Sequence, residues 1–276
     1  MVKRTDIQVL RDAQVTKSNE LIQRTRYNLS VSEQRLLLFL IAKISPYDAE
    51  LPEITFTISD FFKVIGVQYN GVNYIECKAI IQGLADKSFW ITEGTHNRLC
   101  RWIADADVEH GGTITVKLHQ KLEPYLLQLR QNFTSYELAY TLQFKSKYST
   151  RLYEFCKSIK YNNLQKAYEY RITPDQLREQ LGVLHRNDKG EPSGNDYPRY
   201  ADFKRRVILP AIAEINEQTD LTLELAEENK GRKVIMLVLR ITIKEPIERM
   251  KLRAEIDRAL DLAAGINPDQ MHIDGF

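Results

Sequence analysis

The fold class is decided by the stretch PRYADFKRRVILPAIAEINEQTDLTLELAEENKGRKVIMLVLRITI, residues 198–243. Apolar side chains recur at helical spacing over residues 198–217, which predicts one long helix. Its inward-facing side chains are Tyr200, Phe203, Val207, Ile208, Ala211, Ile212 and Ile215. Two strands are predicted after it, at residues 221–226 and 234–243, and the Asn-Lys-Gly between them suits a tight hairpin turn. Pro210 is expected to kink or break the helix because it lacks a backbone N–H.

The segment before this stretch completes a recognisable order of elements. Residues 148–160 predict an amphipathic helix, with Arg151 off an apolar stripe of Leu152, Phe155, Cys156 and Ile159. Residues 168–172 predict a strand, and a short helix follows, with Thr173 as its N-cap and Gly182 as its stop. Helix, strand, short helix, long helix and hairpin together make a winged helix.

The same order occurs once earlier in the chain. Residues 30–44 predict a helix that is apolar on all sides and therefore buried. A strand at residues 52–58 precedes a short helix that Ser59 caps and Gly66 ends. A further helix is predicted next, at residues 72–87. Three strands are predicted after it, at residues 89–93, 99–106 and 113–118. The equivalent glycines of the two copies lie 116 residues apart, which indicates a duplicated domain.

The helix at residues 72–87 is expected to pack through one apolar face, made of Val72, Ile75, Ala79, Ile80 and Leu84. Tyr74 and Lys78 then point the other way. The predicted fold class is α+β, two tandem winged-helix domains at residues 1–135 and 136–246. The C-terminal helix and tail, residues 247–276, are expected to form a surface-like end of the chain.

Bulk composition agrees with two folded domains. The chain has 276 residues, of which 43% are hydrophobic and 28% charged, and it carries a net charge of +2. Residues 245–276 hold seven acidic and four basic side chains, so positive charge is concentrated in the rest of the chain. No apolar run is long enough to cross a bilayer and no signal peptide is apparent, so a soluble, cytoplasmic protein is expected.

In a winged helix, the second helix of the helix-turn-helix lies in the major groove of DNA and the hairpin lies beside it. Arg199, Arg205 and Arg206 fall outside the apolar stripe of the long helix, so we expect them to read bases. Lys204 projects toward the buried side and is expected to pack its stem or reach a phosphate of the DNA backbone. The alternative for this run is an ordinary solvated basic helix face.

The second hairpin carries both signs of charge near its tip. Lys230, Arg232 and Lys233 are predicted to contact the DNA backbone, whereas Glu227 and Glu228 beside them oppose that contact. This wing is therefore expected to contribute less than its basic residues alone would suggest.

Domain one also offers basic and aromatic side chains that suit the DNA backbone. These are Tyr74, Lys78, Arg98 and Arg101, and the alternative is that they form ordinary surface. Contacts with the sugar-phosphate backbone position a protein on DNA and do not specify a sequence.

Motifs for catalysis are missing from the sequence. The histidines form no His-x-His pair of the kind a rolling-circle initiator needs, and there is no phosphate-binding Gly-x-x-x-x-Gly-Lys-Ser/Thr loop. Cys77, Cys100 and Cys156 are too far apart for a zinc site and are expected to be buried small apolar side chains. No enzyme activity, cofactor or metal is therefore expected. A transcriptional repressor and a protein-binding winged helix are among the functions that this pattern allows.

Five stretches carry a family resemblance: VTKSNELIQ (15–23), LSVSEQRLLLFLIAKI (29–44), FKSKYSTRLYEF (144–155), YADFKRRVILPAIAEINEQTDL (200–221) and KGRKV (230–234). They resemble the theta-type (iteron) plasmid replication initiator family, which includes the F-plasmid initiator. By that similarity, Arg199 and Arg205 match base-reading arginines, with Lys204 and Arg206 in flanking basic positions. The wing departs from the family, which often carries lysines where Glu227 and Glu228 stand.

The resemblance implies a function as well as a fold. Monomers of such proteins bind direct repeats of duplex DNA, called iterons, at a plasmid origin. Origin melting and recruitment of the host initiator and replicative helicase are implied to follow. Dimers, in equilibrium with monomers, are implied to bind an inverted repeat and repress their own gene, with domain one as the dimer surface.

Overall fold

The first half of the chain alternates short helices with strands in the computed structural model, which describes residues 4–93, 96–159, 166–186 and 192–268. Its helices are α1 (Arg4–Asp12), α2 (Asn19–Arg24), α3 (Val31–Ala42), α4 (Ile58–Val64), α5 (Val72–Ala85), α6 (Glu123–Leu126) and α7 (Ala139–Leu142). Its strands are β1 (Gln14–Ser18), β2 (Ile54–Thr57), β3 (Ser88–Glu93), β4 (His96–Arg101), β5 (Ile103–Val108), β6 (Thr113–Leu118) and β7 (Phe133–Glu137).

The second half repeats this plan with a longer hairpin. Its helices are α8 (Lys147–Ile159), α9 (Pro174–Gln180), α10 (Tyr200–Phe203), α11 (Leu209–Gln218) and α12 (Pro246–Ala263). Its strands are β8 (Ala167–Ile172), β9 (Leu184–Arg186), β10 (Pro192–Asn195), β11 (Leu221–Lys230) and β12 (Lys233–Ile243). A π-helical turn, Lys204–Ile208, joins α10 to α11, and we call the three segments together the recognition helix.

Helix α3 confirms the buried helix that was predicted at residues 30–44, and a reciprocal pair of cap hydrogen bonds begins it. The Ser30 hydroxyl accepts a hydrogen bond from the Glu33 backbone N–H, and the Glu33 carboxylate accepts one from the Ser30 N–H at 2.6 Å. Every side chain from Leu36 to Ile41 is buried. The helix therefore forms the centre of the first winged helix.

The first winged helix is closed by a three-stranded antiparallel sheet in the order β2-β6-β5. Thr57, and not Ser59 as predicted, is the N-cap of α4, because its hydroxyl accepts from the Asp60 N–H. Thr57 is also the last residue of β2, so helix α4 follows the strand directly, with no residue between them. Gly66 ends this segment with a φ of +73°, as its position predicted.

The strand predicted at residues 99–106 is in fact two strands that belong to different sheets. β4 pairs with β3 as a separate hairpin inserted after α5, whereas β5 pairs with β6. The chain bends at Trp102, which is buried and stacks on Phe89 with ring centroids 4.1 Å apart. This bend separates the strand that pairs with β3 from the strand that pairs with β6.

The predicted apolar face of α5 is confirmed at Ile80 and Leu84 and is wrong at Val72, Ile75 and Ala79, which are exposed. Its buried side chains are Asn73, Cys77, Ile80, Ile81 and Leu84. Val72 and Ile75 are 70% and 72% exposed. The side chain of Asn73 turns inward and accepts a hydrogen bond from the Asn70 N–H, which fixes the rotation of the first turn.

In the second winged helix the strands are ordered β11-β12-β8, and the hairpin is longer than predicted. Lys230 pairs with Lys233, so the turn consists of Gly231 and Arg232 alone, with Gly231 at a φ of +62°. A bulge after Glu228 increases the twist near the tip. Glu227 and Glu228 therefore belong to a strand and not to the connecting loop.

The recognition helix runs on through Pro210 without a break. The π-helical turn ends two residues before the proline, and the Leu209 N–H bonds to the Lys204 carbonyl five residues back. Because Pro210 offers no N–H to the preceding turn, the wider turn absorbs the interruption that was predicted as a kink. The side chains of the recognition helix that were predicted to face inward are buried, except Tyr200, which is half-buried.

Several buried polar contacts join the two halves. Arg151, expected off the apolar stripe of its helix, is 4% exposed and donates to the backbone carbonyls of Thr25 and Gln180, each at 2.8 Å. Its guanidinium also lies 4.2 Å from the ring centroid of Tyr27. Strand β1 pairs with β7, so the N-terminal segment is tied to the last strand of the first half.

The last helix is not the surface-like element that the sequence suggested. Ile256 and Leu260 of α12 are buried, and Leu260 lies directly against Gly66 at the end of α4. The fully buried Arg11 donates to the Asp261 carboxylate at 2.7 Å and to the backbone carbonyl of Val64 at 3.1 Å. The C-terminal end of the described chain thus closes back onto the first winged helix.

Candidate DNA-binding surface

The recognition helix presents its predicted base-reading residues to solvent. Arg199 is the N-cap residue, and Arg205 and Arg206 lie on the π-helical turn. All three residues are exposed, with 68% of the Arg205 side chain and 59% of the Arg206 side chain accessible. The structure therefore exposes all three arginines on the N-terminal part of the recognition helix, the part of a winged helix that makes groove contacts.

One carboxylate, Asp202, organises two of these arginines. It accepts from the Arg205 guanidinium at 3.1 Å and lies 4.0 Å from the Arg206 Nε. Sequence reasoning missed Asp202, although its spacing of three and four residues from the arginines is the spacing at which helical charges meet. The contact restricts the arginine side chains before DNA is bound.

Lys204 lies apart from the exposed arginines, on the side that faces the hairpin. Its ammonium is 2.7 Å from the Glu227 carboxylate on β11, and the hydroxyl of Tyr200 donates to the same carboxylate. Burial raises the pKa of Glu227, but the hydrogen bonds from Lys204 and Tyr200 outweigh it and hold that pKa below its ordinary value. The helix and the hairpin are thus tied together by a charged pair.

The two wing carboxylates do not face the tip of the hairpin. Glu227 binds Lys204, and Glu228 forms an ion pair with Arg171 on the neighbouring strand β8. Among the residues that the structure describes, Lys230, Arg232 and Lys233 have no carboxylate partner, and all three are exposed. Each of the two acids therefore already has a cation of its own, and the contribution of the wing to DNA binding remains a prediction.

Arg178 is a second residue that the sequence did not reveal. Its guanidinium lies 4.8 Å from the ring centroid of Phe203 and donates to Asp175 at 2.8 Å. Only 5% of Arg178 is exposed, so it supports the recognition helix from α9 and leaves the outer surface to other residues. The contact between Arg178 and Phe203 depends on the tertiary packing of two helices, so no local sequence pattern predicts it.

The predicted residues of domain one lie in two places. Tyr74, half-buried, and Lys78, exposed, are on α5, where the ammonium lies 5.8 Å from the tyrosine ring centroid. Arg98 and Arg101 are on β4 of the inserted hairpin. Backbone contact by these four residues remains a prediction.

Metal-binding and thiol chemistry find no support in the described part of the chain. It contains no group of three or more His, Cys, Asp or Glu side chains able to hold a metal ion. The three cysteines are buried, and burial raises the pKa of the Cys77 thiol to about 12. Within the same residues, no helix has the length and apolar character needed to cross a membrane.

Two winged helices in tandem, the second with a basic recognition helix and a basic hairpin tip, define a DNA-binding protein of the winged-helix class. The chain belongs to the initiator replication protein family, since residues 14–157 match the family's first winged-helix domain and residues 175–241 match its second. The predicted fold class and the predicted family are both confirmed.

Individual relatives agree with this assignment. The chain is 31% identical over 152 residues to the "PI protein" of Escherichia coli, a match that covers 53% of this chain and 48% of that protein. The chain thus spans about half the length of this relative. It is 23% identical to a "Replication initiation protein" of Escherichia coli, over 95% of this chain and 75% of that one.

A solved structure supports the fold. The crystal structure of the Pi initiator protein in complex with iteron DNA superposes with a TM-score of 0.69 at 21% identity, covering 85% of this chain and 99% of that chain. At this level of identity the similarity establishes a shared tandem winged-helix architecture.

Proposed function

We propose that the protein initiates plasmid replication by binding iteron repeats of duplex DNA at an origin. The observation that carries the proposal is the cluster of exposed cations on the recognition helix beside the exposed cations of the hairpin tip. The family of the chain and the iteron complex of the similar Pi initiator support the same choice of ligand.

Each part of this surface has a distinct task in the proposal. Arg199, Arg205 and Arg206 enter the major groove, where an arginine can donate two hydrogen bonds to guanine O6 and N7. Lys230, Arg232 and Lys233 bind phosphates alongside the groove. Domain one extends the contact along the duplex, with Tyr74, Lys78, Arg98 and Arg101 (the domain-one backbone set) on the sugar-phosphate backbone.

Opening of the origin, in this proposal, draws on binding energy and DNA deformation. The sequence contains no phosphate-binding loop for a nucleotide, so hydrolysis by this chain is not part of the scheme. Bending or untwisting a neighbouring A/T-rich segment costs least where the base steps are flexible. The exposed DNA then recruits the host initiator and the replicative helicase.

Binding as a monomer and binding as a dimer serve two purposes in the proposal. The monomer occupies the direct repeats of the origin. The dimer, formed through domain one, binds an inverted repeat before its own gene and represses it. A dedicated repressor would share the DNA-binding surface and would differ by having no effect on replication.

The test is a plasmid that carries only a selectable marker and the DNA flanking the gene for this chain. We expect this plasmid to replicate when the protein is supplied from a second replicon, and footprints of the purified protein to cover short direct repeats. A triple Arg199→Ala, Arg205→Ala, Arg206→Ala variant should support neither replication of this plasmid nor protection of the direct repeats. Footprints on an inverted repeat alone, with no replication, would show the protein to be a repressor.

A further inference from the structure

The outward face of α5 in domain one is apolar where the equivalent face in domain two is basic. Val72 and Ile75 are 70% and 72% exposed, and Ala79 and Gln82 are also exposed. Spacings of three, four and three residues place these four side chains in one line along the helix. We call this line the α5 strip.

The α5 strip occupies the position from which a winged helix reads DNA. Helix α5 follows α4 and the turn at Gly66, just as the recognition helix follows α9 and Gly182. Apolar side chains in the major groove recognise the C5-methyl group of thymine, and a glutamine recognises adenine N6 and N7. The strip therefore has the chemistry to recognise A·T base pairs.

The charges around the strip show how the duplex would lie. Lys78 is exposed on one flank, whereas Glu76 is exposed on the other. The phosphates nearest α5 therefore pass on the Lys78 side. Asp105 and Asp107 are exposed on β5 of the first wing, so this hairpin provides little attraction for phosphate and the helix face itself must supply the contact.

We infer that domain one reads thymine methyl groups, and so specifies sequence, through Val72, Ile75 and Ala79, with Gln82 reading an adjacent adenine. This inference rests on the proposed DNA-binding function and adds a role beyond backbone contact for domain one. Domain two then recognises guanine through arginines while domain one recognises A·T pairs, so one monomer reads two unlike halves of its site.

The experiment uses the full chain and the duplex that it selects from a random library. Each thymine is replaced singly by deoxyuridine, which removes only the methyl group. At one or more thymines of one half-site, we expect the affinity of the unmodified protein to fall about fourfold, as for loss of one buried carbon from an apolar contact. The Ile75→Ala variant should be insensitive to the same replacement.

The matched control is Ile247→Ala, since Ile247 on α12 is 69% exposed and lies outside the α5 strip. This variant should retain the full sensitivity to deoxyuridine. If the protein selects a sequence but no thymine shows a methyl effect that Ile75→Ala removes, the inference fails while the proposed function stands. If the protein selects no duplex at all, the proposed function fails with it.

Discussion

At the scale of single residues, the proposed DNA-binding surface contains cations whose side chains are held to different degrees. Lys204 is held by Glu227 and Arg205 by Asp202, while Arg199 and the tip residues of the hairpin have no carboxylate partner in the described chain. A side chain that is already oriented loses less conformational entropy when it binds. We therefore expect Arg205 to contribute to specificity and the hairpin tip to contribute to overall affinity.

Two single substitutions separate these roles. Arg205→Ala should remove about 1–3 kcal/mol of discrimination at one base pair. Lys230→Ala should weaken binding to all sequences alike and lower the salt dependence by about one phosphate contact. Binding titrations on the selected duplex and on single base-pair variants measure both effects, and equal loss of specificity in the two variants would contradict the assignment.

The Lys204–Glu227 pair gives a prediction about pH. The pKa of Glu227 is lowered in the folded protein, so its contribution to stability is present above the unfolded pKa of about 4.3 and is lost as the pH falls through the folded value. Glu227→Gln should therefore lower the thermal midpoint near neutral pH, and the difference from the unmodified protein should shrink below about pH 4.

Thermal unfolding followed between neutral and acidic pH makes this measurement. The matched control is Glu224→Gln, an exposed position on the same strand. A difference between Glu227→Gln and the unmodified protein that grew on acidification would contradict the sign of the effect.

At the scale of secondary-structure elements, the π-helical turn sets the direction of the arginines. It inserts a wider turn between α10 and α11, so the arginines on it are rotated relative to a continuous α-helix. The exposure of these arginines could be predicted from sequence because they lie outside an apolar stripe. The π-helical turn could not, since Pro210 is equally compatible with a kink, a break or a wider turn.

Pro210→Ala tests this role of the turn. Alanine restores the missing N–H and favours a continuous α-helix, so stability should stay equal or rise while the orientation of Arg205 and Arg206 changes. The sequence selected from a random duplex library should then shift at the positions these arginines read. The same selected sequence with Pro210→Ala as with the unmodified protein would show that the turn does not direct recognition.

Helix α5 shows why the phase of an element can escape sequence analysis. Apolar residues occur on both sides of it, and the predicted stripe and the buried one both fit helical spacing. Packing against α3, together with the inward cap at Asn73, selects the stripe that includes Cys77 and Ile81. The strands of the second hairpin were predicted too short for a related reason. Glu227 and Glu228 have the polarity of loop residues, and only the folded structure shows that they pair with Lys204 and Arg171 on neighbouring elements.

At the scale of the whole molecule, the C-terminal helix joins the end of the described chain to its beginning. Arg11 and Asp261 are separated by 250 residues in sequence and are both fully buried. A second buried group, Lys17 with Glu154 and Tyr136, joins strands β1 and β7 to α8. Such long-range pairs cannot be predicted from local patterns, which is why α12 was predicted as surface although the tandem winged-helix fold class was predicted correctly.

Asp261→Ala should therefore be strongly destabilising, by about 3–5 kcal/mol, because it leaves the Arg11 guanidinium buried without its counter-ion. Chemical denaturation measures this loss. Glu255→Ala, an exposed position on the same helix, should change stability by no more than about 0.5 kcal/mol. Equal, small effects of the two substitutions would show that α12 is not held by the Arg11 contact.

The central claim is that the basic surface of the second winged helix binds duplex DNA, and a salt titration tests it most directly. The affinity of the full chain for its selected duplex should fall roughly 10³-fold or more as the salt concentration rises from about 50 to 200 mM, as expected for about 6–10 phosphate contacts. Absence of binding, or binding that does not change with salt, would contradict the account.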